Sequence, residues 1–167
     1  ITSASLYARD LETGRWTGVN EDEPYAPASL LKVFVMITYF KMAETDPSIL
    51  QEKIFYDGAV DRNEVSYYKF GNSLEGGESY TVEELIRKMI IQSGNNSYVL
   101  LLNKIGDQKV IDLLRDLDLP LPTSSAIDFM STRSYSFVFR ILYNATYLSR
   151  EMSEKALQLL VEARFDK

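Results

Sequence analysis

The chain has 167 residues, 46% hydrophobic and 12% aromatic, a net charge of −6, and neither histidine nor cysteine. That is enough chain to bury one core, but the missing residue types exclude a Ser-His-Asp triad, a thiol nucleophile and the usual zinc sites. Acids and bases are interspersed, so there is no basic footprint for nucleic acid, and no Gly-x-Gly-x-x-Gly or Walker loop for nucleotides. In chain order, strands near Ser3–Asp10 and Arg15–Asn20 flank the Leu11-Glu12-Thr13-Gly14 turn and form a hairpin. Pro27 cannot occupy a helix interior, so the next helix starts after it. From Leu30 to Ala43 that helix is apolar on nearly every side, which marks a core helix; Lys32 and Lys41 interrupt it too often for a membrane span. A mixed region rich in Gly, Asn and Tyr runs to Tyr80.

Thr81-x-x-Glu84 is a capping box that opens a helix over Thr81–Gln92. Further helices are expected over Ser97–Ile105 and Gln108–Leu117, the latter with Asp107 as N-cap. Leu119-Pro120-Leu121-Pro122 breaks the pattern, and helices over Ser134–Leu148 and Ser153–Phe165 close the chain. The expected architecture is α+β in a single domain over 1–167, with the hairpin in 1–22 and a mainly helical part from 29 to 167. Two strands alone are marginally stable, so exposed apolar surface and some self-association through a sheet edge are expected.

Chemistry concentrates at Ser29-Leu30-Leu31-Lys32. With no histidine, a lysine amine is the remaining way to activate a serine hydroxyl, and i, i+3 spacing puts both side chains on one helix face. Burial near the start of an apolar helix lowers a lysine's pKa, which suits a general base. The helix N-terminus would stabilise a developing alkoxide on Ser29. The bland alternative is Ser29 as an N-cap and Lys32 as a snorkelling surface residue. A second Ser-x-x-Lys, Ser66-Tyr67-Tyr68-Lys69, lies among Asn63, Gly71 and Asn72 and reads as a loop.

Ser93-Gly94-Asn95 forms a polar bend between two apolar helical segments, presenting a hydroxyl and a carboxamide together. Helix capping by Gly94 and Asn96 accounts for part of this bend, but not for the Ser93/Asn95 pair.

Taken with Tyr25-Ala26-Pro27-Ala28 before the first segment, Met89-Ile90-Ile91-Gln92 before the second and Leu100-Leu101-Leu102 after it, this pattern resembles the penicillin-recognising serine enzymes. The class A β-lactamases and D-Ala-D-Ala peptidases belong to that superfamily, and the class A branch is the nearer likeness. The resemblance implies a β-lactamase/transpeptidase-like fold and an acyl-transfer mechanism without metal or cofactor. Ser29 would attack a β-lactam or D-Ala-D-Ala carbonyl, and Lys32 would take its proton. Ser93 would relay a proton to the leaving nitrogen, Asn95 would bind the substrate's side-chain amide, and the Ser29 N–H would form half of an oxyanion hole. It also implies an exported bacterial protein, extracytoplasmic and either secreted or membrane-tethered.

Three departures bear on activity. Gly94 replaces the family's usual aspartate, a loss of rigidity more than of chemistry. The stretch from Leu117 to Tyr135, where class A enzymes carry a deacylating glutamate, holds only Asp118 and Asp128 as acids. Glu154-Lys155-Ala156-Leu157-Gln158 looks similar to that pattern but belongs to a later helix. No Lys-Thr-Gly is present; Lys69-Phe70-Gly71 is a decoy in loop context. The expectation is therefore a long-lived acyl-enzyme in a C-terminally incomplete domain, inactive on its own. The alternative is a non-catalytic cell-wall-associated binding or scaffold domain that keeps the fold. Tyr67, Tyr68 and Tyr80 could gate a pocket, although packing is the commoner use of such residues. Arg133 could attract a carboxylate substrate, or simply sit solvated at a helix start.

Overall fold

A computed structural model describes residues 3–62, 74–123 and 127–163. At its centre is α1 (Leu31–Ala43), where Phe34, Met36, Ile37, Tyr39 and Phe40 have no exposed surface. A helix apolar all round must be enclosed by other elements. Here α2 (Val82–Ile91), α3 (Asn95–Ile105), α4 (Asp107–Asp116) and α6 (Arg150–Glu162) pack against it. Tyr39 brings a polar group deep into that packing and satisfies it: Tyr39 Oη donates to the carbonyl of Leu101 in α3 at 2.9 Å. α5 (Thr132–Tyr143) packs on α6 and carries the N-terminal hairpin.

The helix ends follow local chemistry. Thr81 and Glu84 form the expected capping box: the Glu84 N–H donates to Thr81 Oγ1 at 3.1 Å, and the Thr81 N–H to Glu84 Oε2 at 2.7 Å. Ser131 accepts from the Ser134 N–H at the start of α5, and Ser149 from the Met152 N–H at the start of α6. Asp107 is not the N-cap of α4 but its first residue; Gly106, at φ +76°, makes the turn from α3 that a side chain would resist. Likewise α5 stops at Tyr143, well before Leu148, because Asn144 caps it and Ala145 turns left-handed.

The expectation of a lone hairpin understates the strand content. β1 (Leu6–Arg9) and β2 (Trp16–Val19) do pair antiparallel, with Leu6 opposite Val19 and Arg9 opposite Trp16. Two further antiparallel pairs are present: β3 (Pro24–Tyr25) with β6 (Met130–Ser131), and β4 (Lys53–Tyr56) with β5 (Glu78–Thr81). Both link segments far apart in sequence, and β3 and β6 are only two residues long, too short for an alternation pattern to reveal. Exposed apolar surface is present on the hairpin, where Leu6 and Val19 are more than half exposed. Among the described residues, no helix is long and apolar enough to cross a membrane.

Candidate active site

Ser29 is held at the surface by a strained turn. Pro27 is buried, Ala28 takes a left-handed φ of +45°, and residues Ala28–Leu30 form a 3-10 turn that runs into α1. The Leu30 N–H closes this turn on the Pro27 carbonyl at 2.9 Å. A left-handed alanine costs on the order of 1 kcal/mol, a strain held in place by Pro27 beneath and α1 beyond. Ser29 is exposed, whereas Lys32, one turn on, is only 5% exposed.

The second motif is also strained, though not at its glycine. Ser93 has φ +52°, while Gly94 sits at φ −62°, ψ 115°, a conformation open to any residue. A Cβ on Gly94 would lie 3.3 Å from the Lys88 carbonyl oxygen and 3.4 Å from Ser97 Oγ. Close packing, and not backbone freedom, is thus what glycine provides there. α3 starts at Asn95, two residues earlier than its apolar pattern suggests, and no side chain caps it.

These two turns meet on Lys32. Its Nζ lies 2.6 Å from the Ser93 carbonyl oxygen, 2.8 Å from Asn95 Oδ1, 2.9 Å from Ser93 Oγ and 3.2 Å from Ser29 Oγ. The Ser93 hydroxyl also donates to Ser29 Oγ at 3.2 Å. All four residues singled out from the sequence therefore converge on one point, and Lys32 is a buried hub instead of a snorkelling surface lysine. Burial lowers the Lys32 amine from its ordinary value to about 8. The carbonyl and carboxamide oxygens can only accept, so they take two N–H bonds. In the neutral amine this leaves the lone pair toward the hydroxyls, the arrangement a base needs to remove a serine proton. Among the described residues, no group of acids could hold a metal ion.

A family model described as the beta-lactamase enzyme family matches residues 2–167. The chain belongs to that family. Its fold is that of solved β-lactamases: one from Sphaerobacter thermophilus superposes with a TM-score of 0.78 at 18% identity, covering 96% of this chain and 63% of that one. A β-lactamase from Chitinophaga pinensis gives 0.79 at 17% identity, covering 98% and 66%. A PBP-A variant, solved as an acyl-enzyme complex with penicillin G, gives 0.77 at 16% identity, covering 96% and 62%. The chain thus spans less than two thirds of the length of these structures. No curated protein sequence matches it.

Within this β-lactamase-family fold, several residues stand differently from their sequence reading. Asn96 is no N-cap: it lies inside α3, 3% exposed, and reaches across to a loop. Its Oδ1 accepts from the Arg62 N–H, and its Nδ2 donates to Asp61 Oδ1, each at 2.8 Å. Asn95 Nδ2 donates to the Arg62 carbonyl at 3.2 Å. A buried asparagine is unusual enough to be a signal, but nothing local in the sequence names its partner. Arg133 is partly exposed and engaged within the fold. It pairs with Glu21 at 2.6 Å and Asp22 at 2.8 Å, and its guanidinium lies 4.2 Å from the Trp16 ring centroid. Tyr80 is a packing anchor, accepting from the Glu75 N–H at 2.7 Å beneath Lys88. Tyr67, Tyr68, the second Ser-x-x-Lys and Lys69-Phe70-Gly71 lie outside the described residues. Asp118 and Asp128 are both exposed. Glu154 falls within α6, as expected.

Proposed function

We propose that the protein is a serine acyl-transfer enzyme of the β-lactamase/penicillin-binding type, acting on β-lactams or D-Ala-D-Ala peptides. Ser29 Oγ attacks the substrate carbonyl while its proton passes to neutral Lys32 Nζ. As the tetrahedral intermediate collapses, the C–N bond breaks and the leaving nitrogen receives a proton through Ser93 Oγ. The product of this step is an ester on Ser29. Asn95 binds the substrate's side-chain amide, and the Ser29 N–H faces the developing oxyanion. The observation that carries the reading is the buried Lys32 amine within 3.2 Å of Ser29 Oγ and 2.9 Å of Ser93 Oγ. Similarity to a PBP-A variant trapped with penicillin G supports the substrate class.

Slow deacylation belongs to the same proposal. Among the described residues, no carboxylate is hydrogen-bonded to Ser29, Lys32 or Ser93, which supports an ester that water attacks slowly. The work of such an enzyme lies outside the cytoplasm, where peptidoglycan peptides are found. Intact-mass spectrometry of this chain and of a form extended past Lys167, after exposure to a reactive penicillin, tests this. A stable adduct of the drug's mass on the extended form, lost in Ser29→Ala, is expected; no adduct on the extended form at high drug concentration would leave a non-catalytic binding domain.

A further inference from the structure

We infer that Asn96 is a positioning residue for the acyl-transfer site, acting through the Asp61–Arg62 segment to set the orientation of the Asn95 carboxamide. The inference rests on the function proposed above, but its geometry stands independently.

Both ends of the Asn96 side chain are committed to one short stretch of loop. Oδ1 accepts from the Arg62 N–H and Nδ2 donates to the Asp61 carboxylate, each at 2.8 Å. That fixes the Arg62 peptide on both sides, because its carbonyl in turn accepts from Asn95 Nδ2 at 3.2 Å. A carboxamide has a nitrogen end and an oxygen end. Holding Nδ2 on Arg62 turns Oδ1 toward Lys32 Nζ, where it lies 2.8 Å away. The Arg62 carbonyl thus favours the orientation in which Asn95 Oδ1 serves Lys32 as an acceptor and directs the amine's lone pair to the hydroxyls. The Asn96 side-chain hydrogen bonds go to Asp61 and Arg62 and not to Ser29, Lys32 or Ser93, so its polar influence on them passes through Arg62 and Asn95. Burial makes the link firm: Asn96 is 3% exposed, and a buried amide must keep its partners.

The experiment compares Asn96→Ala, Asp61→Ala and the pair Asn96→Asp with Asp61→Asn. The last swaps carboxylate and carboxamide while retaining an acceptor for the Arg62 N–H and a donor across the link. Asp61 is exposed, so Asp61→Ala breaks the connection without opening a hole in the core. Two readouts are taken: the side-chain amide NMR resonances of Asn95, and the rate of Ser29 acylation by a penicillin. Both single variants are expected to move the Asn95 resonances and slow acylation by about ten- to a hundred-fold, with the swapped pair recovering both. Unchanged Asn95 resonances in both folded single variants would overturn the inference, as would a swapped pair that stays as impaired as Asn96→Ala. An extended wild-type form that forms no adduct would sink the proposed function alone, since the resonances report the positioning separately.

Discussion

Lys32 makes its shortest bond to a main-chain atom, the Ser93 carbonyl at 2.6 Å, while its contact with Ser29 Oγ is 3.2 Å. The base is therefore pinned to the backbone of the second motif, and the nucleophile is the loosest of its partners. A lysine seated this way keeps its place while the serine hydroxyl turns toward a substrate.

Acylation should follow the charge of Lys32. The amine titrates at about 8, so the rate of adduct formation should climb from pH 6 and level off above pH 9. Lys32→Met should lower the rate by about 10²–10⁴-fold and remove the rise. Lys32→Arg should fare no better, because a guanidinium keeps its proton throughout this range. Stopped mass-spectrometric time courses at several pH values would measure both effects.

The same residue makes stability rise in mild alkali. Folded Lys32 gives up its proton near pH 8, whereas the unfolded side chain holds it to about 10.4. Between these values the unfolded state binds more protons, so unfolding becomes harder as pH increases. The gain is on the order of 3 kcal/mol across that window. Above it the trend reverses: burial raises Tyr39 and Tyr135 well above the ordinary tyrosine range, so unfolded tyrosines release protons first. Thermal melts from pH 7 to 11 should show this maximum, and Lys32→Met should flatten its rising side only.

Ala28→Gly should stabilise the fold by about 0.5–1 kcal/mol, since glycine accepts a φ of +45° at little cost. It removes no reacting atom, so acylation should persist. Ser93→Gly relieves a similar strain at φ +52° but deletes the hydroxyl; it should melt higher and acylate more slowly. Paired melts and adduct rates would separate the two cases.

Arg133→Ala should cost about 1–2 kcal/mol through loss of the Glu21 and Asp22 pairs and the stacking on Trp16. Arg133→Lys should recover little, because an ammonium cannot fork between two carboxylates while lying flat on the ring. Amide hydrogen exchange in Leu6–Arg9 and Trp16–Val19 should accelerate more than exchange in α1.

Much of this molecule was legible in the sequence because its signals are local. The apolar run of α1, the Thr81/Glu84 box and the 29/32 spacing each follow from residues within one or two helical turns. Ser93 and Asn95 could be matched to them through a family likeness. The β3–β6 and β4–β5 pairs could not, since each joins distant short segments with no periodicity of its own. Asn96 was misread for a related reason: asparagine beside a helix start favours a cap, and its true partners lie 34 and 35 residues earlier. Arg133 shows the same limit, since an exposed arginine and a network-bound one look alike until the chain is folded.

That Arg133 network also has a consequence in time. Glu21 and Arg133 are 112 residues apart, so the hairpin leaves the ribosome long before the helix that holds it. At roughly 5–20 residues per second, Tyr7 and Trp16 wait on the order of ten seconds for their arginine. During each round of synthesis the hairpin is made well before the helix that seats it, and its aromatic face is open to chaperones or neighbouring nascent chains until then.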